Sequence, residues 1–171
     1  MRIDVYGKPA PQGSKRFVGV TKSGKGLMRE TSDGLTPWRN SVVSSSLEEL
    51  DRVAIDGVRP VPMDGPLKAT FLFTFLRPAS IKRSKRSHPS IAPDLSKLVR
   101  STEDGLKDAG VIRDDALIVQ TMSRKDYAGE GPGLQVAGCV ILLEYVVPWE
   151  CPPGVGMLEL EAEIDQTGAV D

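Results

Sequence analysis

The sequence predicts an α+β domain in which a small β-sheet carries two main helices. The chain has 171 residues, the length of one domain; 40% are apolar and 26% charged, as in globular proteins. Four short segments are rich in apolar β-forming residues, and two longer segments repeat apolar residues at helical spacing. All six segments lie within 1–147, which we take as the domain, followed by an acidic tail at 148–171.

The first half of the chain predicts one strand, one basic loop and one helix. Residues 2–6 alternate like a strand, whereas 7–29 are rich in Gly, carry six Lys or Arg and no acid, and predict a loop. Thr36 and Pro37 predict a helix start, with Thr36 as the N-cap and Pro37 at the first helical position. Apolar residues at helical spacing extend this helix over 37–54.

The second half predicts three strands and one helix. Residues 67–76 are apolar and rich in β-formers, which predicts a central strand. A polar loop follows at 78–93, and the stretch from 65 to 93 holds six Lys or Arg and no acid. Asp94 opens a helix over 94–109 with Gly110 just past its end. Residues 116–125 and 134–147 predict the remaining strands.

The net charge of −1 hides an uneven distribution along the chain. The tail holds six acids and no Lys or Arg, which leaves 22 basic and 17 acidic residues, a balance of +5, in 1–147. A basic body indicates a polyanionic partner, while its simpler interpretation is a mildly basic solvated surface. The tail has few residues that could pack, and its composition predicts partial disorder.

Several classes of protein are disfavoured. No apolar run approaches the roughly 20 residues of a membrane span, and the amino terminus is too polar for a signal peptide. Cys139 and Cys151 form no disulfide framework or zinc motif, so we expect a cytoplasmic protein. His88, the one histidine, sits in a basic loop, and no phosphate-loop motif is present, so we expect no small-molecule cofactor.

Asp94, Asp114 and Asp115 admit two interpretations. In the ordinary one, Asp94 caps a helix and the other two lie in a turn. In the functional one they share a metal ion: the helix spans about 22 Å, and six extended residues return at most about 20 Å. Convergence in one chain therefore requires the chain to fold straight back; otherwise the acids meet across a dimer interface. Carboxylates suit Mg²⁺ or Mn²⁺, and a basic surface beside them indicates phosphodiester hydrolysis.

The spacing of these acids is similar to a known signature. The chain reads PDLSKLVR from Pro93, DGL at 104–106 and DD at 114–115, with Ile118 and Lys125 following. The first strand is followed by GKPAPQGSKR. This pattern resembles the RusA-like Holliday junction resolvases of bacterial prophages and phages, whose signature runs roughly P-D-x-D-N-L-x-K, D-A-L and D-D. The resemblance covers about residues 1–146.

The chain departs from that signature inside its first motif. Ser96 replaces the second acid, Lys97 the asparagine and Arg100 the lysine. A serine hydroxyl is a neutral and weaker metal ligand than a carboxylate. Glu103 projects on the same side of the helix but about 10 Å further along, which makes it a poor substitute for the missing acid. Arg100 keeps the positive charge and suits phosphate binding better than proton transfer.

The resemblance implies a homodimeric α+β protein with a small mixed sheet, in the cytoplasm of a bacterial or phage-infected cell. It would bind four-way DNA junctions and nick opposing strands with Mg²⁺ or Mn²⁺. The implied metal-binding residues are Asp94, Asp114, Asp115 and, as a weak ligand, Ser96; Arg100 would join the acids in catalysis. The implied DNA-binding residues are Lys15, Arg16, Lys82, Arg83, Lys85, Arg86, Lys97 and Lys125.

Two alternatives remain open at this point. Without the second carboxylate, the chain could be a RusA-like protein that binds branched DNA and cuts it weakly or not at all. It could also be an accessory protein whose charges are simply solvated. Metal-dependent cleavage separates the first alternative from an active nuclease, and the salt dependence of DNA binding separates it from the second.

Overall fold

The structure is a computed structural model that describes residues 1–13, 15–20, 24, 26–30 and 34–146, with backbone alone for 15–18, 20 and 26–30. Within those residues, no helix is long and apolar enough to cross a membrane. A short 3₁₀ turn covers Asp115–Leu117. In chain order the main elements are β1 (Arg2–Tyr6), β2 (Lys15–Val20), β3 (Gly26–Glu30), α1 (Leu35–Arg52), β4 (Leu67–Phe75), α2 (Leu95–Asp108), β5 (Ile118–Tyr127) and β6 (Gly138–Tyr145).

Four of the strands form one mixed sheet in the order β1-β6-β4-β5. β4 pairs antiparallel with β6 and parallel with β5, whereas β1 pairs antiparallel with β6. Parallel neighbours need a long crossover, and α2 supplies it between β4 and β5. This crossover places the amino end of α2 beside the carboxyl ends of the two parallel strands. The predicted α+β fold class and the central position of β4 are confirmed.

Both helices pack on one face of the sheet around a shared apolar core. Phe71 and Phe73 of β4 are fully buried there, as is Ile141 of β6. The helices touch closely at Gly105 of α2, where an added Cβ would lie 2.8 Å from Cγ1 of Val42 in α1. Only glycine therefore allows this approach. The contact fixes one flank of α2 against α1, whereas Ser96, Arg100 and Lys107 are exposed on the other flank.

The limits of α2 follow the predicted helix to within one residue. Asp94 occupies the N-cap position, and Gly110 has φ of +72° just past the carboxyl end. The amide of Val111 donates to the carbonyl of Leu106, and that of Gly110 donates to Lys107, both at 3.0 Å. These bonds form a Schellman motif, whose left-handed position favours glycine.

The predicted loop over 7–29 is wrong in its second part. β2 and β3 pair antiparallel as a separate two-stranded sheet, with Lys15 opposite Glu30. β-Forming residues such as Phe17 and Val18 stand on one side of Gly24, and Leu27 and Met28 on the other. The high content of glycine and lysine had outweighed this strand signal.

The predicted start of α1 is also wrong. The helix begins at Leu35, so Thr36 lies inside it and the N-cap is Gly34, which offers no side-chain hydrogen bond. Leu35 is buried in the core, which favours extending the helix to include it. Pro37 is tolerated because the amides of the first turn have no partner within a helix.

Two strands start later than predicted. β5 starts at Ile118 because the 3₁₀ turn occupies the preceding residues. β6 starts at Gly138 rather than at 134: Leu134 belongs to a loop, and the hydroxyl of Thr74 donates to the carbonyl of Val136 at 2.7 Å. Apolar loop residues had resembled strand in the sequence. The boundary between the domain and the tail stays a prediction, because 147–171 lie outside the described residues.

Candidate functional site

The flank of α2 that faces away from α1 carries two residues of the predicted site, Ser96 and Arg100. Its polar residues recur at spacings of four, three and four, which places them on one helical face. They are Ser96, Arg100, Glu103 and Lys107. The carboxyl-terminal part of this face meets the 3₁₀ turn that leads into β5. The opposite flank is held by α1, where Nη2 of Arg39 contacts Asp108 at 2.8 Å.

Two carboxylates converge on one cation at the carboxyl end of α2. Nζ of Lys107 donates to Oδ2 of Asp114 at 2.6 Å and to Oδ1 of Asp115 at 3.4 Å. The amide of Ala116 donates to the other oxygen of Asp114 at 3.0 Å. The Lys107 ammonium and, to a smaller extent, this amide lower the pKa of Asp114. The two aspartates are thus held together by the same ammonium.

Glu103 adds a third acid near this pair. Its pKa is raised, first by partial burial and then by the negative charges of Asp115 and Asp104, while Arg100 acts in the opposite direction. Glu103 therefore lies in the field of Asp115 and Asp104, and Arg100 offsets that field only in part. Such excess negative charge is a feature of sites that accept metal cations.

The amino end of α2 holds its acid differently. Asp94 is at the N-cap position, yet its side chain makes no capping hydrogen bond. Oδ2 of Asp94 instead lies 3.1 Å from Nζ of Lys97, and 64% of the side chain is exposed. Ser96 is exposed in the first helical turn. The ordinary interpretation of Asp94 as a capping side chain is therefore wrong, and its carboxylate faces solvent.

The structure does not bring Asp94 to the aspartate pair within one chain. Lys107, which holds the pair, lies about 20 Å along the helix axis from Asp94. Among the described residues, no group of three or more His, Cys, Asp or Glu side chains is arranged to hold a metal ion. Arg100 is exposed between the two ends and forms no ion pair with another described residue.

The basic loop at 78–93 presents some of its predicted DNA-binding residues freely and uses others internally. Lys82 and Lys85 are exposed and form no ion pair within the described part of the chain. Nε of Arg83 lies 3.3 Å from Glu130, and the carbonyl of Arg86 accepts from Nη1 of Arg77 at 2.7 Å. Lys15 and Arg16 lie on β2, where the structure describes the backbone alone.

One arginine anchors that loop to the rest of the domain. Nε and Nη2 of Arg77 each donate to a carboxylate oxygen of Glu130 at 2.7 Å. Its guanidinium also lies 3.8 Å from the centre of the Tyr127 ring. A bidentate pair of this kind fixes both partners, and stacking on an aromatic ring adds to it. The loop therefore presents Lys82 and Lys85 from a fixed base.

Lys125, the last predicted DNA-binding residue, contacts the chain itself. From β5 its Nζ donates to the carbonyls of Ile91 at 2.8 Å and Pro93 at 2.9 Å. Both acceptors lie within the three residues before Asp94. The side chain is partly buried.

Sequence reasoning missed two residues of the carboxyl-end cluster. In the sequence, Lys107 is only one member of a polar helix face. The position of Glu103 along the helix relative to Ser96 does not reveal that Glu103 lies near Asp115. The spacing of Ser96, Arg100, Glu103 and Lys107 was a usable signal, since it predicts a charged stripe on one flank. No local signal pairs that stripe with residues beyond the helix end.

One comparison with known proteins gave a family match. The family model described as Endodeoxyribonuclease RusA matches residues 7–137, which is most of the chain and includes both ends of α2. A search among curated proteins gave no match. The model spans the first motif, DGL and the aspartate pair, so the chain belongs to the RusA endodeoxyribonuclease family.

Proposed function

We propose that this protein is a divalent-metal-dependent endodeoxyribonuclease that resolves four-way DNA junctions by paired nicks. One observation carries the proposal beyond family membership. Asp114 and Asp115 both reach a single ammonium, at 2.6 and 3.4 Å, so one small cation can contact both carboxylates. In this arrangement the Lys107 ammonium stands in for that cation.

The residues at this position fit the metal on which the family depends. RusA resolvases generally require a divalent metal. Mg²⁺ is commonly bound through one or two carboxylates, with water and substrate phosphate completing its shell, so a three-acid cage is not required. Asp114 and Asp115 would hold it, and their oxygen-only ligands suit Mg²⁺ or Mn²⁺. Glu103, with its raised pKa, adds negative charge nearby.

The bound cation would activate water and offset charge on the leaving oxygen. The chain's own residues do the rest. Arg100, exposed on the same helix face, would pair with a phosphate oxygen of DNA bound along that face. Lys82 and Lys85 hold the phosphate backbone from the basic loop, a contact that does not read sequence. Asp94 is included because it matches the first acid of the family signature. In the proposed complex its carboxylate would face the DNA and form a second acidic position beside the aspartate pair.

A symmetric substrate favours a symmetric enzyme. We propose a homodimer whose two-fold axis matches the near two-fold symmetry of a four-way junction, so that opposite strands are nicked together. The working location would be the cytoplasm of a bacterial or phage-infected cell, where DNA recombines. The domain would be 1–147, with the acidic tail at 148–171 as an appended segment.

A second function is favoured by one residue. Ser96 stands where the family signature has an acid, and it is exposed in the first turn of α2. With one carboxylate fewer at the amino end, the protein could hold branched DNA and cut it slowly or not at all. Both functions predict junction binding that weakens steeply with salt, because both use phosphate contacts.

The test incubates the full chain with a labelled mobile four-way junction or an equal-length linear duplex, in Mg²⁺, Mn²⁺ or EDTA. The proposed nuclease gives paired symmetric nicks in the junction and none in the duplex or in EDTA. Asp115→Asn should cut at least about 100-fold more slowly while binding the junction as before. The matched control is Asp108→Asn, which alters an acid on the opposite flank of α2 and should cut like the wild type.

The outcomes separate the candidates. A junction that is shifted on a gel but uncut supports the binding protein. Neither a shift nor a cut supports the accessory protein with solvated charge. Cutting by Asp115→Asn at the wild-type rate would show that the aspartate pair is not part of the active site.

A further inference from the structure

We infer that Lys125 is a positioning residue for Asp94, not a DNA contact. The inference rests on the proposed function for its meaning, since Asp94 matters only where DNA is cut. The observation is the pair of hydrogen bonds from Nζ of Lys125 to the carbonyls of Ile91 and Pro93. Pro93 immediately precedes Asp94, and Ile91 lies three residues before it.

The position of Lys125 makes this contact rigid at its source. β5 pairs with the central strand along its whole length, and Lys125 is opposite Phe73, which is fully buried. The ammonium thus projects from a fixed point of the sheet. An ammonium has three donors and accepts nothing, and two of those donors are already used at 2.8 and 2.9 Å.

Asp94 depends on such a clamp because its own side chain provides none. Its carboxylate makes no capping bond, and the ion pair that it forms with Lys97, the one among the described residues, joins two largely exposed groups. Exposed pairs of this kind fix side chains only weakly. The point from which the Asp94 side chain projects is therefore set by the backbone of the preceding residues. Lys125 holds that backbone.

The other side of the same helical turn is also tied down. The amide of Gln12 donates to the carbonyl of Lys97 at 2.9 Å, and the hydroxyl of Ser101 donates to the carbonyl of Ala10 at 2.7 Å. These bonds hold the first turns of α2 to the amino-terminal loop. Together with Lys125 they fix Asp94 between two anchored segments, and Lys125 is the part supplied by β5.

The test compares Lys125→Met, which keeps the length of the side chain and removes the donor, with Lys125→Arg, which keeps a donor. The matched contrast is Lys85→Met, which removes an exposed ammonium of the basic loop. Three quantities are measured on the full chain: hydrogen exchange of peptides covering 88–98, the single-turnover cleavage rate at saturating protein, and the salt slope of junction binding. Thermal melting checks that each variant folds.

We expect Lys125→Met to speed hydrogen exchange in 88–98 and to lower the single-turnover rate by roughly 10- to 100-fold, as for a misplaced catalytic group. Its salt slope should stay at the wild-type value, and Lys125→Arg should restore most of the rate. Lys85→Met should do the reverse: normal exchange, with a salt slope reduced by up to about 0.9.

Two results would overturn the inference. One is unchanged exchange in 88–98 for Lys125→Met, which shows that the clamp does not hold the segment. The other is a salt slope that falls as in Lys85→Met, which assigns Lys125 to a phosphate. The failure of the proposed function is seen separately, as absence of cutting by the wild type. In that case the exchange measurement still decides whether Lys125 fixes the segment before Asp94.

Discussion

The two ends of helix α2 hold their acids in opposite ways. At the carboxyl end, Asp114 and Asp115 are fixed through their side chains by an ammonium and a backbone amide. At the amino end, the Asp94 side chain is 64% exposed and has an exposed ion pair to Lys97, while the backbone before it is held by Lys125. One end presents a preformed pair of carboxylates, whereas the other presents a single carboxylate on a fixed base.

This difference assigns different tasks to the two ends. Holding two like charges together requires a cation, so the carboxyl end is suited to exchange its lysine for a metal ion. A lone exposed carboxylate binds a metal weakly and gains strength from a neighbour. In the family signature that neighbour is the acid that Ser96 replaces. In the proposed nuclease, the amino end of α2 would therefore be the weaker half of the metal site.

The largest expected effect comes from restoring that acid. Ser96→Asp should strengthen Mn²⁺ binding roughly tenfold, because the number of charged ligands sets affinity at such sites. The cleavage rate at limiting metal should rise with it. Calorimetric titration with Mn²⁺ gives the affinity, and the junction assay gives the rate.

Ser96→Asn is the matched control, since it has the same shape without the charge and should bind Mn²⁺ like the wild type. If Ser96→Asp changes neither affinity nor rate, the amino end does not face the metal. The comparison between the ends would then reduce to a single site at Asp114 and Asp115.

Much of the fold was predictable because its signals are local. Apolar spacing and Gly110 were enough to predict α2 to within one residue. The errors arose where local signals conflict. The high content of glycine and lysine predicted a loop where β2 and β3 pair. Thr36 is a better capping residue than Gly34, but burial of Leu35 favours a helix that begins one residue before Thr36.

The site was less predictable, because it depends on pairs distant in sequence. The spacing of Asp94, Asp114 and Asp115 identified the acids, but not which of them converge. That depends on the path from α2 into β5, which places Asp115 beside Lys107 rather than beside Asp94. Lys125 looked like a free cation because its acceptors lie more than 30 residues earlier in the chain.

Replacing the lysine at each end of α2 tests the same comparison through a smaller expected change in Mn²⁺ affinity. Lys107→Met should tighten Mn²⁺ binding severalfold near pH 7, since the ammonium no longer competes for the aspartate pair. Lys97→Met should change it less, because Lys97 contacts one exposed carboxylate at 3.1 Å. Calorimetric titrations of both variants at several pH values provide the comparison.

The pH dependence of Mn²⁺ binding independently tests whether Lys107 competes with the metal ion. Lys107 lowers the pKa of Asp114, so in Lys107→Met that pKa should rise toward the ordinary value of about 3.9. Metal binding needs the ionised carboxylate, so its loss on acidification should begin at higher pH than in the wild type. Weaker Mn²⁺ binding by Lys107→Met at neutral pH would show that the lysine organises the pair rather than competing with the metal.

The smallest effect concerns Glu103 and is a change in stability. The pKa of Glu103 is raised in the folded state by burial and by Asp115 and Asp104. The folded state then binds the proton more tightly, so the associated stability is present below the unfolded pKa of about 4.3 and is lost as pH rises through the folded pKa. Glu103→Gln removes this loss. At pH 7 without metal it should raise the Tm by about 1 °C, as expected for relief of a few tenths of a kcal/mol.

Calorimetric melts across pH 3 to 7 measure the difference in Tm between Glu103→Gln and the wild type. The matched control is Glu48→Gln, which alters a residue on the exposed face of α1. This difference in Tm should disappear in acid, where Glu103 is protonated in both the folded and unfolded states. It should also narrow in Mg²⁺, because a cation held by Asp114 and Asp115 offsets the same repulsion. A lower Tm for Glu103→Gln at pH 7 would mean that Glu103 is stabilised by its neighbours. The carboxyl end would then carry no excess of negative charge, and the difference between the two ends would lie in side-chain geometry alone.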